Sequence, residues 1–164
     1  MPRLFSRLPI YVAMLCAWGG ISPRAVAAYE HKPDFDDYRK LGSVIEKYSH
    51  NKENNTYGVT LRVRENGVRA LADGRVVSSG RLRGYGRYVI VDHGEGWHSL
   101  YSHLARIDAA KGKEVKRGAV LGIARHKRLF LVVSYRGNPI NPSDVMGPRV
   151  IARNFMHYGT QVVG

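Results

Sequence analysis

Strict alternation of apolar and polar residues in short segments is the feature that most constrains the fold of this chain. The segment GVTLRVR at 58–64 alternates at every position, and Gly-rich turns such as Asp73-Gly74 separate it from later segments. A period of two places successive side chains on opposite faces of a strand. We predict strands in 58–64, 68–72, 87–93, 98–104 and 129–135. Short strands joined by such turns predict an all-β fold, an open barrel or sandwich of antiparallel strands.

The segment that precedes these strands has a different pattern. Its apolar residues recur at spacings of three and four, which predicts one face of a short N-terminal helix begun by Asp34. The residues concerned are Phe35, Tyr38, Leu41, Ile45 and Tyr48. Gly42 lowers the helix propensity of this segment. The polar run NKENNT at 51–56 predicts a loop before the first strand.

The first 27 residues have the pattern of a secretory signal. Arg3 and Arg7 precede an apolar run, and Ala25-Val26-Ala27 supplies the small residues of a cleavage site near Ala27. An uncleaved anchor is the alternative. These patterns divide the chain into a signal peptide at 1–27, a helix and linker at 28–56, the strand domain at 57–147 and a tail at 148–164.

Charge and cysteine content limit the classes of partner and the cellular compartment that suit this protein. The chain has 26 Lys and Arg against 13 Asp and Glu, and the signal segment carries three of the arginines and none of the acids. A basic chain often binds nucleic acid, but an exported protein rarely meets it, so we expect no nucleic-acid partner. The single cysteine, Cys16, lies in the signal segment. Export without disulfides favours a periplasmic or secreted bacterial protein.

Five motifs in a fixed order resemble a known family. They are ALADGRVVSSG, GYGRYVIVDHGEG, HSLYSHL, KGKEVKRGAVLG and GNPINPSD. This series resembles the LytM or lysostaphin-like domain of zinc endopeptidases that hydrolyse peptidoglycan, over about residues 56–147. KGKEVKRGAVLG alone would also suit a lipoyl-type hybrid motif, but that alternative leaves HGEGWHSLYSHL unexplained.

The resemblance implies a site that has lost its metal ligands. Active members hold zinc with a His and an Asp four residues apart and with the second His of a His-x-His, and here Thr56, Thr60 and Phe130 occupy those positions. Arg128 replaces the assisting histidine, whereas His103 matches the catalytic histidine. Threonine is a poor neutral zinc ligand and phenylalanine is none. We therefore expect no metal, no cofactor and no catalytic residues, although a rearranged site of His93, His98 and His126 is an alternative.

The same alignment predicts a groove with a binding role. If Thr60 faces the groove, alternation places Arg62 and Arg64 on the same side, and Arg128 joins them from a neighbouring strand. We expect Tyr101 and His103 to form hydrogen bonds there. The loop that walls the groove in the family is short here, which predicts a shallow, open and basic trough. Snorkelling of the arginines to solvent is the alternative.

These features predict a non-catalytic envelope protein that acts in peptidoglycan remodelling. Degenerate members of the family resemble activators of peptidoglycan amidases, so the first hypothesis is a regulator that binds a hydrolase. The second is a peptidoglycan-binding module. The third is an active zinc endopeptidase, against which the ligand positions argue. Expected partners are peptidoglycan or an amidase, and membership of a larger envelope assembly is a further alternative.

Overall fold

A computed structural model describes residues 32–51 and 56–146 of the chain. The predicted signal peptide at 1–27 and the predicted tail at 148–164 lie outside these residues. The strands are β1 Gly42–Asn51, β2 Thr56–Val63, β3 Gly67–Arg69, β4 Gly74–Leu82, β5 Gly86–Gly94, β6 Trp97–Ile107, β7 Glu114–Val115, β8 Val120–Ala124, β9 Arg128–Tyr135 and β10 Asn138–Ile140. A 3₁₀ turn spans Tyr38–Lys40 and a short helix, α1, spans Pro142–Val145. No helix within the described ranges is long and apolar enough to cross a membrane.

The strands form one open antiparallel sheet in the order β1-β2-β9-β6-β5-β4-β7. A branch of the sheet pairs β8 with β6 and β3 with β8, and β10 pairs with β9. This arrangement confirms the predicted all-β class of short antiparallel strands. The central strand β9 is buried along six consecutive residues, as expected of a strand that is covered on both faces.

Two apolar clusters lie on opposite faces of the sheet. Alternation along β9 places Leu129, Leu131 and Val133 in the main core and Phe130 and Val132 in a smaller cluster. The main core also contains Trp97, Tyr101, Leu61, Leu71, Leu121 and Met146, and the smaller cluster also contains Tyr85, Tyr88, Ile90 and Leu100. Each fully buried side chain of this size contributes about 1.5–3 kcal/mol. The smaller cluster ends at the groove described below.

The predicted N-terminal helix is wrong, because residues 42–51 form the strand β1 instead. The β-branched pair Val44-Ile45 and the preceding Gly42 disfavour a helix. Pairing with β1 also satisfies amide and carbonyl groups that β2 would otherwise expose as an edge strand. The sheet therefore begins at Gly42, ahead of the boundary predicted at residue 57.

Candidate functional site

A groove of about 350 Å³ lies where β1, β2, β6 and β9 meet. It is lined by Glu46, Ser49, His50, Asn51, Thr60, His103, Arg128 and Phe130. Four of the predicted site residues, Thr60, His103, Arg128 and Phe130, are thus brought together by the fold. The other four lining residues all belong to β1, which forms one wall.

The register of the strands builds the floor of the groove. Thr60 on β2 lies opposite Phe130 on β9, and Phe130 lies opposite Ser102 on β6. Thr60 and Phe130 are each 2% exposed. A Cβ at Gly58 would lie 2.6 Å from the Phe130 ring, so the glycine leaves space for this ring. The floor is therefore tightly packed.

A β-bulge in β1 turns Glu46 towards the groove. Val44 pairs with Leu61 and packs on the main core, whereas Glu46 pairs with the adjacent Thr60, so Ile45 is an extra residue. Without this insertion, Val44 and Glu46 would share a face. The Glu46 carboxylate accepts hydrogen bonds from Thr60 Oγ1 and Arg128 Nη2, each at 2.7 Å. Both Glu46 oxygens are thereby engaged by groove residues.

A second β-bulge aims His103. Between the pairs Val89–Tyr101 and Arg87–Leu104, β6 advances by one residue more than β5. His103 adopts a φ of 63°, a left-handed conformation that costs a non-glycine residue about 1–2 kcal/mol. Its N–H donates to Tyr85 O at 2.9 Å, which holds the bulge in place. Its ring lies 6.2 Å from the Phe130 ring. Such strain at a cavity is a frequent mark of a functional position.

The remaining predicted site residues lie elsewhere. Tyr101 is fully buried in the main core, so the expectation that it lines the groove is wrong. Thr56 is buried where β1 and β2 join, outside the groove lining. Arg62 and Arg64 are exposed and do not line the groove. Of the three arginines that were predicted in the groove, Arg128 alone lines it. Arg128 is paired with Glu46, so the groove is less basic than predicted.

Sequence reasoning missed Glu46, Ser49, His50 and Asn51 because it assigned their segment to a helix and a loop. They give the groove a wall on the β1 side, which the expectation of a shallow trough did not include, whereas the turn between β8 and β9 is short as expected. The available signal was the β-branched pair Val44-Ile45 beside Gly42. Interpretation as a strand would have placed this segment next to β2.

His93 has a structural role at the outer end of a hydrogen-bond chain that leads into the core. His93 Nδ1 lies 2.7 Å from Asp73 O, and Nε2 lies 2.7 Å from Ser99 Oγ. A carbonyl only accepts, so Nδ1 carries a proton and donates to Asp73 O. Ser99 Oγ lies 3.1 Å from the Tyr101 hydroxyl, which accepts from the Leu71 N–H at 2.9 Å. These contacts occupy both ring nitrogens of His93 and argue against a rearranged metal site.

The hydrogen-bond chain from His93 to Leu71 predicts that the stability of the fold depends on pH. Burial is the largest cause that lowers the pKa of His93 from 6.5, while its hydrogen bond to Asp73 opposes the shift. The unfolded chain therefore binds more protons than the folded one below pH 6.5, and the free energy of unfolding should fall as the pH decreases through that range. Urea unfolding at a series of pH values measures the slope. His93→Gln should flatten it, and an unchanged slope in this variant would contradict the assignment.

The open sheet and the groove between β1, β2 and β9 define a LytM-like domain, the class that the motifs indicated. Residues 54–142 match the model of Peptidase family M23, and the chain belongs to that family. The matched region begins between β1 and β2. It therefore includes the groove floor and excludes the wall formed by β1.

Relatives in this family carry two kinds of name. The chain is 36% identical over 87 residues to the DD-carboxypeptidase/endopeptidase Mpg of Neisseria meningitidis, covering 49% of this chain and 20% of Mpg. It is 33% identical over 107 residues to the murein hydrolase activator NlpD of Salmonella typhimurium, covering 62% of this chain and 28% of NlpD. The chain thus spans less than a third of either relative.

A solved structure has the same fold. Helicobacter pylori Csd3 superposes with a TM-score of 0.57 at 23% identity, covering 70% of this chain and 35% of that chain. At this identity the similarity concerns the fold alone.

The groove residues do not fit the zinc ion of the family's active members. At two of the ligand positions, Thr60 offers only a neutral hydroxyl and Phe130 offers no donor atom. Glu46, His50 and His103 are potential donors, but both carboxylate oxygens of Glu46 are bound by Thr60 and Arg128. Within residues 32–51 and 56–146, no three His, Cys, Asp or Glu side chains are placed to hold a metal.

Proposed function

We propose that this chain is a non-catalytic regulator of a peptidoglycan hydrolase, exported to the periplasm and bound to its partner through the groove. The observation that carries the proposal is the content of the groove. The ligand positions Thr60 and Phe130 form part of a packed floor, and Glu46 pairs with Arg128 where an active site would need an open metal position. A histidine without an activated water has little to deprotonate.

The relatives support a role in peptidoglycan metabolism. NlpD is named a murein hydrolase activator and Mpg a peptidase, so both kinds of function occur on similar domains. The ligand chemistry of this chain favours the first kind. An amidase is the hydrolase class that we propose as partner.

A glycan-binding module is the second candidate. Arg62 pairs with the groove residue Arg128 and Arg64 follows the end of β2; both are exposed, and neither forms an ion pair within the described residues 32–51 and 56–146. Such cations suit the carboxylates of peptidoglycan. A module of this kind would bind sacculi without any hydrolase and would leave hydrolase turnover on soluble fragments unchanged.

Dye release from labelled sacculi, with candidate amidases present and absent, tests the regulator. The informative variant is His103→Gly, because glycine adopts the left-handed backbone of the bulge without strain while the ring is removed. We expect stimulation of the amidase to fall about tenfold, the equivalent of one lost charge-assisted or buried contact.

His98→Ala is the matched control, since His98 lies on the same strand outside the groove lining. Circular dichroism is used to check that both variants are folded. Full stimulation by folded His103→Gly would overturn the groove as the contact surface. Strong pelleting with sacculi and no effect on any amidase would favour the glycan-binding module.

The third candidate, an active endopeptidase, gives a separate prediction about metal. With Thr56, Thr60 and Phe130 at the ligand positions, purified protein should contain no stoichiometric zinc and should not cleave peptidoglycan cross-bridges. Elemental analysis and digestion of sacculi measure both. Zinc near one ion per chain, lost on chelation together with hydrolysis, would contradict the non-catalytic assignment.

A further inference from the structure

Three arginines lie side by side across the sheet at one end of the groove. Arg62 on β2 pairs directly with Arg128 on β9, and Arg128 pairs with Arg125 through a bridge at the β8–β9 turn. Directly paired residues of antiparallel strands share a face, with Cβ atoms about 5 Å apart. We call Arg62, Arg128 and Arg125 the arginine row. All three are exposed.

The arginine row carries more positive charge than the acidic side chains paired with it neutralise. Glu46 pairs with Arg128, the central member. Arg62 and Arg125 form no ion pair with any residue in the described ranges. Like charges placed directly opposite each other on neighbouring strands repel and disfavour the pairing. A ligand with two or more negative charges would remove this repulsion.

The turn beside the row is strained. His126 and Lys127 have φ values of 51° and 56°, and the Arg128 N–H donates to Arg125 O at 2.9 Å, as in a two-residue hairpin turn. Asn-Gly is the preferred sequence in such turns, because both residues need positive φ. Here the chain retains two bulky basic residues instead. Retained strain next to an unneutralised charge row is a second indication of a binding surface.

Glu46 indicates which anion the row accepts. Its carboxylate, presented by a strand that lies beside β2, bonds Arg128 at 2.7 Å. A guanidinium binds a carboxylate with two parallel donors when the approach is free. The flanking Arg62 and Arg125 are about 10 Å apart, two strand spacings, and carboxylates at alternate positions of an extended peptide are about 7 Å apart. Flexible side chains span the difference.

We infer that the arginine row is a docking site for an acidic protein segment with carboxylates at alternate positions. This inference rests on the proposed function, since the segment would belong to the hydrolase partner. It names the chemistry of that contact and extends it from the groove to the β8–β9 turn. Glu46 remains on Arg128 while the segment binds the two flanking arginines.

Fluorescence anisotropy with a labelled peptide that has Glu at alternate positions tests the inference. We expect Arg62→Gln combined with Arg125→Gln to weaken binding about fivefold, as two exposed ion pairs imply. Raising the salt concentration from about 50 to about 300 mM should weaken binding by the wild type more than by this variant. A peptide with Gln for Glu should not bind.

The matched control is Arg81→Gln combined with Arg83→Gln, which removes the same charge from exposed positions at the β4–β5 turn. This control should retain wild-type affinity within about twofold. Equal losses in both double variants would show an effect of net charge and overturn the inference. Binding of phosphatidylglycerol vesicles without binding of the acidic peptide would overturn it in favour of a lipid surface.

Failure of the inference is distinguishable from failure of the proposed function. The double variant Arg62→Gln and Arg125→Gln is also tested for stimulation of amidases on labelled sacculi. Full stimulation with unchanged peptide affinity would reject the arginine row and leave the regulator proposal standing. Absence of stimulation by the wild type would reject the regulator, while selective peptide binding would still support the row. Thermal unfolding should show no loss of stability, because the substitutions remove like-charge repulsion.

Discussion

Replacing Gly58 with alanine is expected to lower the free energy of unfolding by about 1–3 kcal/mol, the usual cost of overpacking a core. The added Cβ would lie 2.6 Å from Phe130 Cζ and 2.7 Å from Leu131 O. The carbonyl is backbone within a paired strand and cannot move without disturbing the β2–β9 ladder. The added Cβ would also displace the Phe130 ring, so the groove floor should change as well. Urea unfolding measures the loss of stability.

Gly80→Ala is the control for this substitution. Gly80 also lies within a strand, but its added Cβ would meet nothing closer than Tyr88 atoms at 4.0 Å. Without a clash, alanine should be neutral or should stabilise by about 0.4–1 kcal/mol through the unfolded state. Equal stability of the Gly58 and Gly80 variants would show that β2 and β9 are not as closely paired as described.

Tyr101→Phe is expected to destabilise the fold by about 1–3 kcal/mol, since a buried donor loses its partner. The Tyr101 hydroxyl accepts from the Leu71 N–H at 2.9 Å, and burial raises the pKa of Tyr101 to about 12. The substitution leaves that N–H unsatisfied and removes the Ser99 contact. Thermal unfolding should show a decrease in Tm of several degrees, at about 2–8 °C per kcal/mol.

Tyr88→Phe is the comparison. Tyr88 is buried too, but its hydroxyl lies 3.0 Å from the Oγ of the half-buried Ser78, which solvent can reach once the contact is lost. We expect a loss of less than about 1 kcal/mol. If both Tyr variants unfolded at the same temperature, the hydrogen-bond chain from His93 to Leu71 would have no special importance for stability.

The fate of Tyr101 shows where prediction from the sequence stops. Alternation along HSLYSHL places Tyr101 and His103 on one face, and in a regular strand both side chains would lie on that face. The bulge at Ser102 and His103 inserts one residue, so Tyr101 faces the main core and His103 faces the groove. A bulge depends on the partner strand, which local sequence does not encode.

Predictions that rested on the motifs or on clear alternation were more successful. The strands at 58–64, 87–93, 98–104 and 129–135 correspond to β2, β5, β6 and β9 with small shifts of their ends. The family's ligand pattern, laid on the first and last of these strands, also placed Thr60, Arg128 and Phe130 together, and all three line the groove. The segment 42–51 was assigned to a helix and loop because its apolar spacing fits a helix, whereas its pairing with β2 is a long-range effect that overrides local propensity.

The position of β1 separates the groove into two parts with different sequence constraints. The floor lies within residues 54–142, where each side chain also packs the common sheet, and substitutions there disturb both faces. The wall lies outside that match, on an edge strand whose side chains at Glu46, Ser49 and His50 are largely exposed. Substitutions in this strand should therefore alter the wall of the groove without disturbing the shared sheet. Diversification of recognition within such domains is expected to concentrate in the segment immediately before the shared fold.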